Sequence, residues 1–177
     1  MKCTTSLCTM ILILAFGATS AWAAGPTDPQ IAAIVVTANQ VDIDAGKLAK
    51  SKAHSPQVKD FAQRMITDHS GVNKSATELV QKLHVTPEPN PTSESLQKGG
   101  DDNLAKLKTL SGAAFDKAYI DHEIAYHEAV LSALDKTLIP SAQNAELKAL
   151  LVKTRPAFEA HLDMAKQLQS KLSKSGA

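Results

Sequence analysis

Residues 58–72 read VKDFAQRMITDHSGV, and this stretch decides what kind of fold the chain adopts. At about 100° per residue, its apolar positions fall on one side of a helix and its charged positions on the other. His69 lies at the centre of the apolar side, where packing alone would favour an aliphatic residue. The stretch therefore predicts an amphipathic helix that carries an imidazole into the core. The apolar side comprises Val58, Ala62, Met65, Val72, Ala76, Leu79 and Leu83.

The rest of the chain repeats this helical pattern, and no stretch alternates apolar and polar residues as a strand would. Breaks at Ser55-Pro56 and Ile139-Pro140 separate helical stretches, because proline disrupts a helix interior and suits the first turn of a new helix. Pro156 lies inside the last stretch, where we expect a kink. The predicted helices cover residues 29–52, 56–84, 113–138 and 143–172.

Residues 85–112 are predicted to form a connector between the second and third long helices. Pro87, Pro89 and Pro91 follow one another closely, and Gly99-Gly100 ends this part, so we expect no helix over 85–100 and a short one over 101–110. Four long helices joined by a short turn, one long crossover and another short turn describe a four-helix bundle. The predicted fold class is all-α.

Residues 1–24 have the features of a secretory signal peptide. Lys2 precedes an apolar run over 10–16, and small residues follow up to Ala23-Ala24, where we expect cleavage. The apolar run is too short to hold the protein in a bilayer as a stable anchor. The remaining residues, 25–177, suit a single domain, which we expect to be periplasmic, with association with the outer membrane left open.

Charge and cysteine content exclude several classes of function. Removing Lys2 lowers the 19 basic residues to 18, which balance 18 acidic residues, so a nucleic-acid partner is not expected. Cys3 and Cys8 both lie in the predicted signal peptide, so the mature chain has no thiol for a disulfide or a thiolate metal site. Any bound metal must therefore use His, Asp and Glu. A protein partner or a homo-oligomer remains open.

Each of the four long helices places at least one carboxylate or imidazole on its apolar side. These residues are Asp42, His69, Glu123, His127 and His161. A buried carboxylate without a partner costs several kcal/mol, so we expect the five side chains to satisfy one another or to bind a first-row transition metal. Counting 1.5 Å per residue from the turns puts Asp42 within roughly 5 Å of the height of His69. The same count leaves His127 about 10 Å from the level of His161, one layer away.

The residues leave two interpretations of this cluster open. In the first, the cluster binds a metal, and the protein is not an enzyme. In the second, it is a metal-free hydrogen-bond network that fixes the register of the helices in a structural or interaction module. Asp68 lies at the edge of its helix and is predicted to be peripheral, and His122 lies at the rim. Motifs of hydrolases and of nucleotide-binding proteins are absent from the sequence.

Three stretches, 44–70, 110–130 and 147–168, resemble the DUF4142 family of exported bacterial proteins, and the pattern F-A-x-R-M-x-x-D-H is the most specific part. The resemblance implies a ferritin-like bundle. It also implies that His69, His127 and His161 match the family's histidines, and that Asp42 stands at an acidic position usually held by Glu. The family has no established reaction, so the resemblance implies a fold and a compartment but no mechanism. The first interpretation, in which the cluster binds a metal, therefore describes a metal-binding or stress-related periplasmic protein.

A third interpretation is a di-metal oxidoreductase. Di-iron bundles carry two Glu-x-x-His motifs and two further glutamates. This chain instead has Glu123-x-x-x-His127 and Glu159-x-His161. The altered spacings favour a histidine-rich site for one metal, or no metal, over a di-metal centre.

Overall fold

A computed structural model describes residues 25–175, and all regular structure in this part of the chain is helical. The predicted signal peptide, with Cys3 and Cys8, lies outside the described residues. None of the described helices is long and apolar enough to cross a membrane. The elements are α1 (Asp28–Lys52), α2 (Pro56–Lys82), α3 (Pro91–Lys108), α4 (Gly112–Ala133), a π-helical segment (Leu134–Leu138), α5 (Ile139–Ser141) and α6 (Ala145–Ser175).

The helices form a bundle in which α1 packs on α2 and α3, α4 packs on α6, and α2 packs on α6. The carboxylates of two aspartates hold neighbouring helix ends together. Asp116 accepts hydrogen bonds from the amides of His54 and Ser55, at 2.9 and 2.7 Å, and so holds the α1–α2 turn against α4. Asp28 accepts hydrogen bonds from the amides of Gln143 and Asn144, which tie the start of α6 to the start of α1.

The apolar core consists of two clusters, one at each end of the bundle. Representative members are Met65, Phe115 and Tyr119 in the first cluster, and Leu134 and Phe158 in the second. Along every long helix, the polar residues singled out in the sequence fall between members of the two clusters. The fold therefore places them in a buried layer with apolar packing above and below.

The prediction of a connector without a helix over 85–100 is wrong. Helix α3 covers 18 residues and begins at Pro91, which takes the first helical position, where no amide hydrogen bond is needed. Asn90 caps it by accepting hydrogen bonds from the amides of Thr92 and Ser93, at 3.1 and 3.2 Å. The predicted short helix over 101–110 is the second half of α3.

The glycine pair 99–100 lies inside α3, and at Gly100 α3 packs closely on α1. A Cβ atom added at Gly100 would lie 2.7 Å from Cγ2 of Val41, closer than two carbon atoms can approach. At Gly99, nothing lies within 4 Å of an added Cβ. Gly100 is thus a packing residue of α3 and does not end the helix.

The end of α4 also differs from the sequence-based prediction. The expected turn at residues 139–141 is helical, because the π-helical segment and α5 carry the chain on to Ser141. The amide of Ile139 donates to the carbonyl of Leu134, five residues earlier. Non-helical residues occur at 142–144, so the turn into α6 lies further along the chain than predicted. Pro156 lies within α6, which is a single helix over its full described length.

Candidate metal site

The structure brings the five predicted site residues together in the buried layer. Their exposed fractions are 2% for Asp42, 3% for His69, 0% for Glu123, 1% for His127 and 1% for His161. The ring centroids of the three histidines lie 5.6 Å (His69–His127), 5.2 Å (His69–His161) and 5.4 Å (His127–His161) apart. Three imidazoles from three helices therefore form a nearly equilateral triangle.

The prediction that His127 lies one layer away from His161 is wrong. The sequence-based estimate placed the turn between their helices near Pro140, whereas the non-helical residues are 142–144. Moving a turn by three residues changes the difference in height between two facing helices by about 9 Å, because the shift lengthens one helix and shortens the other. His127 and His161 consequently face each other at the same level.

The hydrogen bond of His69 determines which of its ring nitrogens carries the proton. Nδ1 of His69 lies 2.7 Å from Oδ1 of Asn39. The amide nitrogen of Asn39 donates to the carbonyl of Val35, which fixes the amide so that its oxygen faces the histidine. An amide oxygen only accepts, so Nδ1 of His69 is protonated and Nε2 of the neutral ring has a lone pair.

The same reasoning applies to the other two histidines. Nδ1 of His127 lies 2.9 Å from the carbonyl oxygen of Glu123, so the proton is on Nδ1. Nε2 of His161 lies 2.9 Å from the carboxylate of Asp68, so here the proton is on Nε2. The opposite nitrogens are Nε2 of His69, Nε2 of His127 and Nδ1 of His161, and none of them has a hydrogen-bond partner among the described residues.

These three histidines have the arrangement that metal-binding histidines require. One ring nitrogen from each lies within 4.8 Å of one from each of the other two. Histidine ligands of metals characteristically donate their second ring nitrogen to a carboxylate or a carbonyl, which fixes the tautomer and the orientation of the ring. Here the acceptors are the side-chain oxygen of Asn39, the backbone carbonyl of Glu123 and the carboxylate of Asp68.

Asp42 supplies a carboxylate oxygen as a further possible metal ligand beside the histidine nitrogens. Its Oδ2 lies 3.1 Å from Nε2 of His69 and 3.8 Å from Nε2 of His127. These separations bracket the roughly 3.3 Å between two ligands of a tetrahedral metal with bonds of about 2.0 Å. Burial, together with the proximity of His161, a second imidazole, lowers the pKa of His69 to about 3, so the close approach of Asp42 and His69 is not an ion pair at neutral pH.

Glu123 lies beside Asp42 and is the most deeply buried carboxyl group of the cluster. Burial raises the pKa of Glu123 well above its ordinary value, and the neighbouring Asp42 carboxylate raises it further. Burial also raises the pKa of Asp42, whereas His127 lowers it. Glu123 is therefore the carboxyl group that retains a proton. Asp42, Glu123 and His127 form a second possible set of metal ligands, which overlaps the histidine triangle.

The prediction that Asp68 is peripheral holds for its exposure but misses its role. Its side chain is 36% exposed, yet its carboxylate contacts the buried His161 directly. Burial alone would raise the pKa of Asp68, but hydrogen bonds from His161 and Arg64 lower it below the ordinary value.

Asn39 is a residue of the site that the sequence analysis does not identify. Its position one helical turn before Asp42, on the same face of α1, was the available signal.

A helical bundle with a buried cluster of three histidines and two carboxylates, able to hold a metal, is the class of protein that the fold and the site define. The chain belongs to the DUF4142 family, described as a domain of unknown function, whose family model matches residues 15–168 and so covers most of the chain. No curated protein and no solved structure matches the chain.

Proposed function

We propose that this chain is a metal-binding protein that holds one divalent first-row transition metal through His69, His127 and His161. Asp42, which lies near His69 and His127, is the proposed carboxylate ligand. The observation that carries the proposal is the set of three buried nitrogen lone pairs. Each has its opposite N–H fixed by an acceptor, and each lacks a partner among the described residues. Neutral imidazole and carboxylate are the ligands that such metals accept in the absence of thiolates.

A metal explains the cluster better than a metal-free hydrogen-bond network. Each buried polar atom left without a partner costs about 1–3 kcal/mol, so a network built to fix helix register would pair its members. Here one nitrogen of each histidine has no partner among the described residues, whereas Glu123 can donate its proton to the neighbouring Asp42. A cation among them satisfies several of these atoms at once.

The ligand set favours one metal over two. The two overlapping groups of possible ligands share His127, so a second metal would compete with the first for this side chain. Di-iron bundles rely mainly on glutamates, whereas only Asp42 and Glu123 supply carboxylates to either of these groups. The proposed role is therefore the binding of a single metal ion rather than oxygen activation at a di-metal centre.

The proposal includes a ferritin-like four-helix arrangement of α1, α2, α4 and α6, with α3 as part of the crossover between α2 and α4. The packing of α1 on α2, of α4 on α6 and of α2 on α6 supports it, as does the position of α3 against α1. A crystal structure tests it, and helix directions other than those of a ferritin-like bundle would contradict it.

The proposal also includes export to the periplasm, which rests on the pattern of residues 1–24. Mass spectrometry of the protein from the periplasmic fraction of a bacterial host should find a chain that begins at Ala24 or Gly25. A full-length chain confined to the cytoplasmic fraction would contradict export without affecting the metal site.

Metal analysis of the protein tests the central proposal. Purified without a chelator or an affinity tag, the protein should contain one metal ion per chain, and the His69→Ala variant should lose it. His54→Ala is the matched control, because His54 is an exposed histidine at the α1–α2 turn. Metal-free protein that binds no added Zn²⁺, Fe²⁺, Mn²⁺ or Cu²⁺, or full metal content in His69→Ala, would refute the site.

A further inference from the structure

A cavity of about 570 Å³ extends from the metal site along the bundle and opens to solvent, since exposed residues such as Thr92 and Thr137 line it. On α1 its lining runs from Gln30 to Asp42, which corresponds to about 18 Å along a helix. Its walls are mainly aliphatic and aromatic, and none of the described residues that line it is Lys or Arg. The apolar lining includes Ile34, Val72, Leu134, Leu138, Leu151 and Phe158.

One end of this cavity is lined by polar side chains of the proposed metal site. Asp42, His69 and His127 all line it, and each has a side-chain atom without a hydrogen-bond partner among residues 25–175. The cavity therefore reaches the proposed metal ligands. A molecule inside it would meet apolar walls along its length and the metal at one end.

The cavity has a size that a bound ligand explains. Its volume lies within the range of about 300–1,000 Å³ that pockets for small molecules span. The π-helical segment forms part of the wall through Leu134, Thr137 and Leu138. Such segments occur frequently at functional sites.

Charge limits the chemistry of the ligand's polar end. A divalent metal bound by three neutral imidazoles and the Asp42 carboxylate retains one positive charge. In a buried site, a head group with a single negative charge and an oxygen donor neutralises it. A ligand with several negative charges would lack partners, because the lining contains no cationic side chain among the described residues.

We propose that this cavity binds a medium-chain monocarboxylate, whose alkyl chain lies along the apolar walls and whose carboxylate coordinates the metal as a fifth ligand. The proposal rests on the proposed metal site, and it adds the class of ligand that the site takes. Its structural basis is that an elongated apolar cavity ends at Asp42, His69 and His127.

Calorimetric titration of the Zn²⁺-loaded protein with dodecanoate tests the proposal. We expect one dodecanoate per chain, and binding of dodecanol weaker by at least about tenfold, because an uncharged alcohol does not neutralise the metal. In Ala133→Phe the new ring fills part of the cavity, away from the metal ligands, and should weaken dodecanoate binding by at least about tenfold. Ala125→Phe, at an exposed position of the same helix, should bind dodecanoate like the unaltered protein.

A separate titration with Zn²⁺ distinguishes failure of this proposal from failure of the metal site. Zn²⁺ binding without dodecanoate binding, equal affinities for dodecanoate and dodecanol, or unchanged affinity in Ala133→Phe would each overturn the ligand assignment alone. Absence of Zn²⁺ binding would overturn both proposals. If Ala133→Phe does not fold, as judged by lost Zn²⁺ binding, the smaller Ala133→Leu takes its place.

Discussion

Oδ2 of Asp42 lies 3.1 Å from Nε2 of His69, yet no hydrogen bond joins them. The proton of the imidazole is on the opposite nitrogen, where Asn39 accepts it at 2.7 Å. A lone pair and a carboxylate oxygen at this distance repel each other unless a cation lies between them. The cluster therefore has the polarity of a cation site.

Replacement of Asn39 by Ala should weaken Zn²⁺ binding by about 10- to 100-fold, although Asn39 does not itself contact the metal. Without the acceptor, His69 is free to place its proton on the nitrogen that faces Asp42. Competition with a chromophoric chelator measures the affinity. Asn73→Ala is the control, because Asn73 also donates to a carbonyl of α1 but has no hydrogen bond to a site histidine among the described residues. Equal affinities of the two variants would contradict this role of Asn39.

Two replacements of Asp68 distinguish the effect of its hydrogen bond with His161 from the effect of its negative charge. Asp68→Asn retains an oxygen that can accept from Nε2 of His161, whereas Asp68→Ala removes the acceptor. We expect Asp68→Ala to weaken Zn²⁺ binding by about tenfold or more, and Asp68→Asn to weaken it less. If both variants bind Zn²⁺ like the unaltered protein, the tautomer of His161 does not depend on Asp68.

The metal-free protein should lose stability as the pH falls from about 6.5 to about 3. The pKa of His69 is about 3 in the folded protein and 6.5 in the unfolded chain. The unfolded chain therefore binds the extra proton across this range, so the free energy of unfolding falls as the pH is lowered, by up to about 1.4 kcal/mol per pH unit. Above pH 6.5 this contribution is constant.

Urea unfolding of the chelator-treated protein at several pH values, compared with a His69→Gln variant, isolates this contribution. Glutamine does not titrate, so the variant should lose less stability between neutral and acidic pH than the unaltered protein. Carboxyl groups elsewhere titrate in both proteins, and their effect cancels in the comparison. Parallel pH profiles would show that His69 does not remain neutral in the folded protein.

The glycine pair in α3 provides a matched test of the packing of α3 on α1. Gly100→Ala should destabilise the protein by about 1–3 kcal/mol, because its Cβ would lie 2.7 Å from Val41. Gly99→Ala should stabilise it by about 0.5–1 kcal/mol, because alanine favours a helix and nothing lies within 4 Å of its Cβ. Urea unfolding measures both changes, and effects of the same sign would contradict this account.

The long helices and their buried faces could be predicted from the sequence because helical periodicity is a local property. Asp42, His69, Glu123, His127 and His161 were each placed on an inward face, and all five are buried. Helix α3 was missed because its prolines and glycines locally indicate a connector. The cap at Asn90 and the packing of Gly100 on Val41 override these local preferences.

The sequence by itself determined which side chains enter the core, since one face of each helix is apolar. Only the tertiary structure decided which atoms meet there. The turn at 142–144 brings His127 level with His161, and Asn39 and Asp68 decide which ring nitrogen of His69 and of His161 faces inward. These relationships join residues far apart in the chain, and a shift of a few residues at one turn moves a side chain by several ångströms. Local patterns therefore predict the ligand candidates, and the packing of whole helices determines the site.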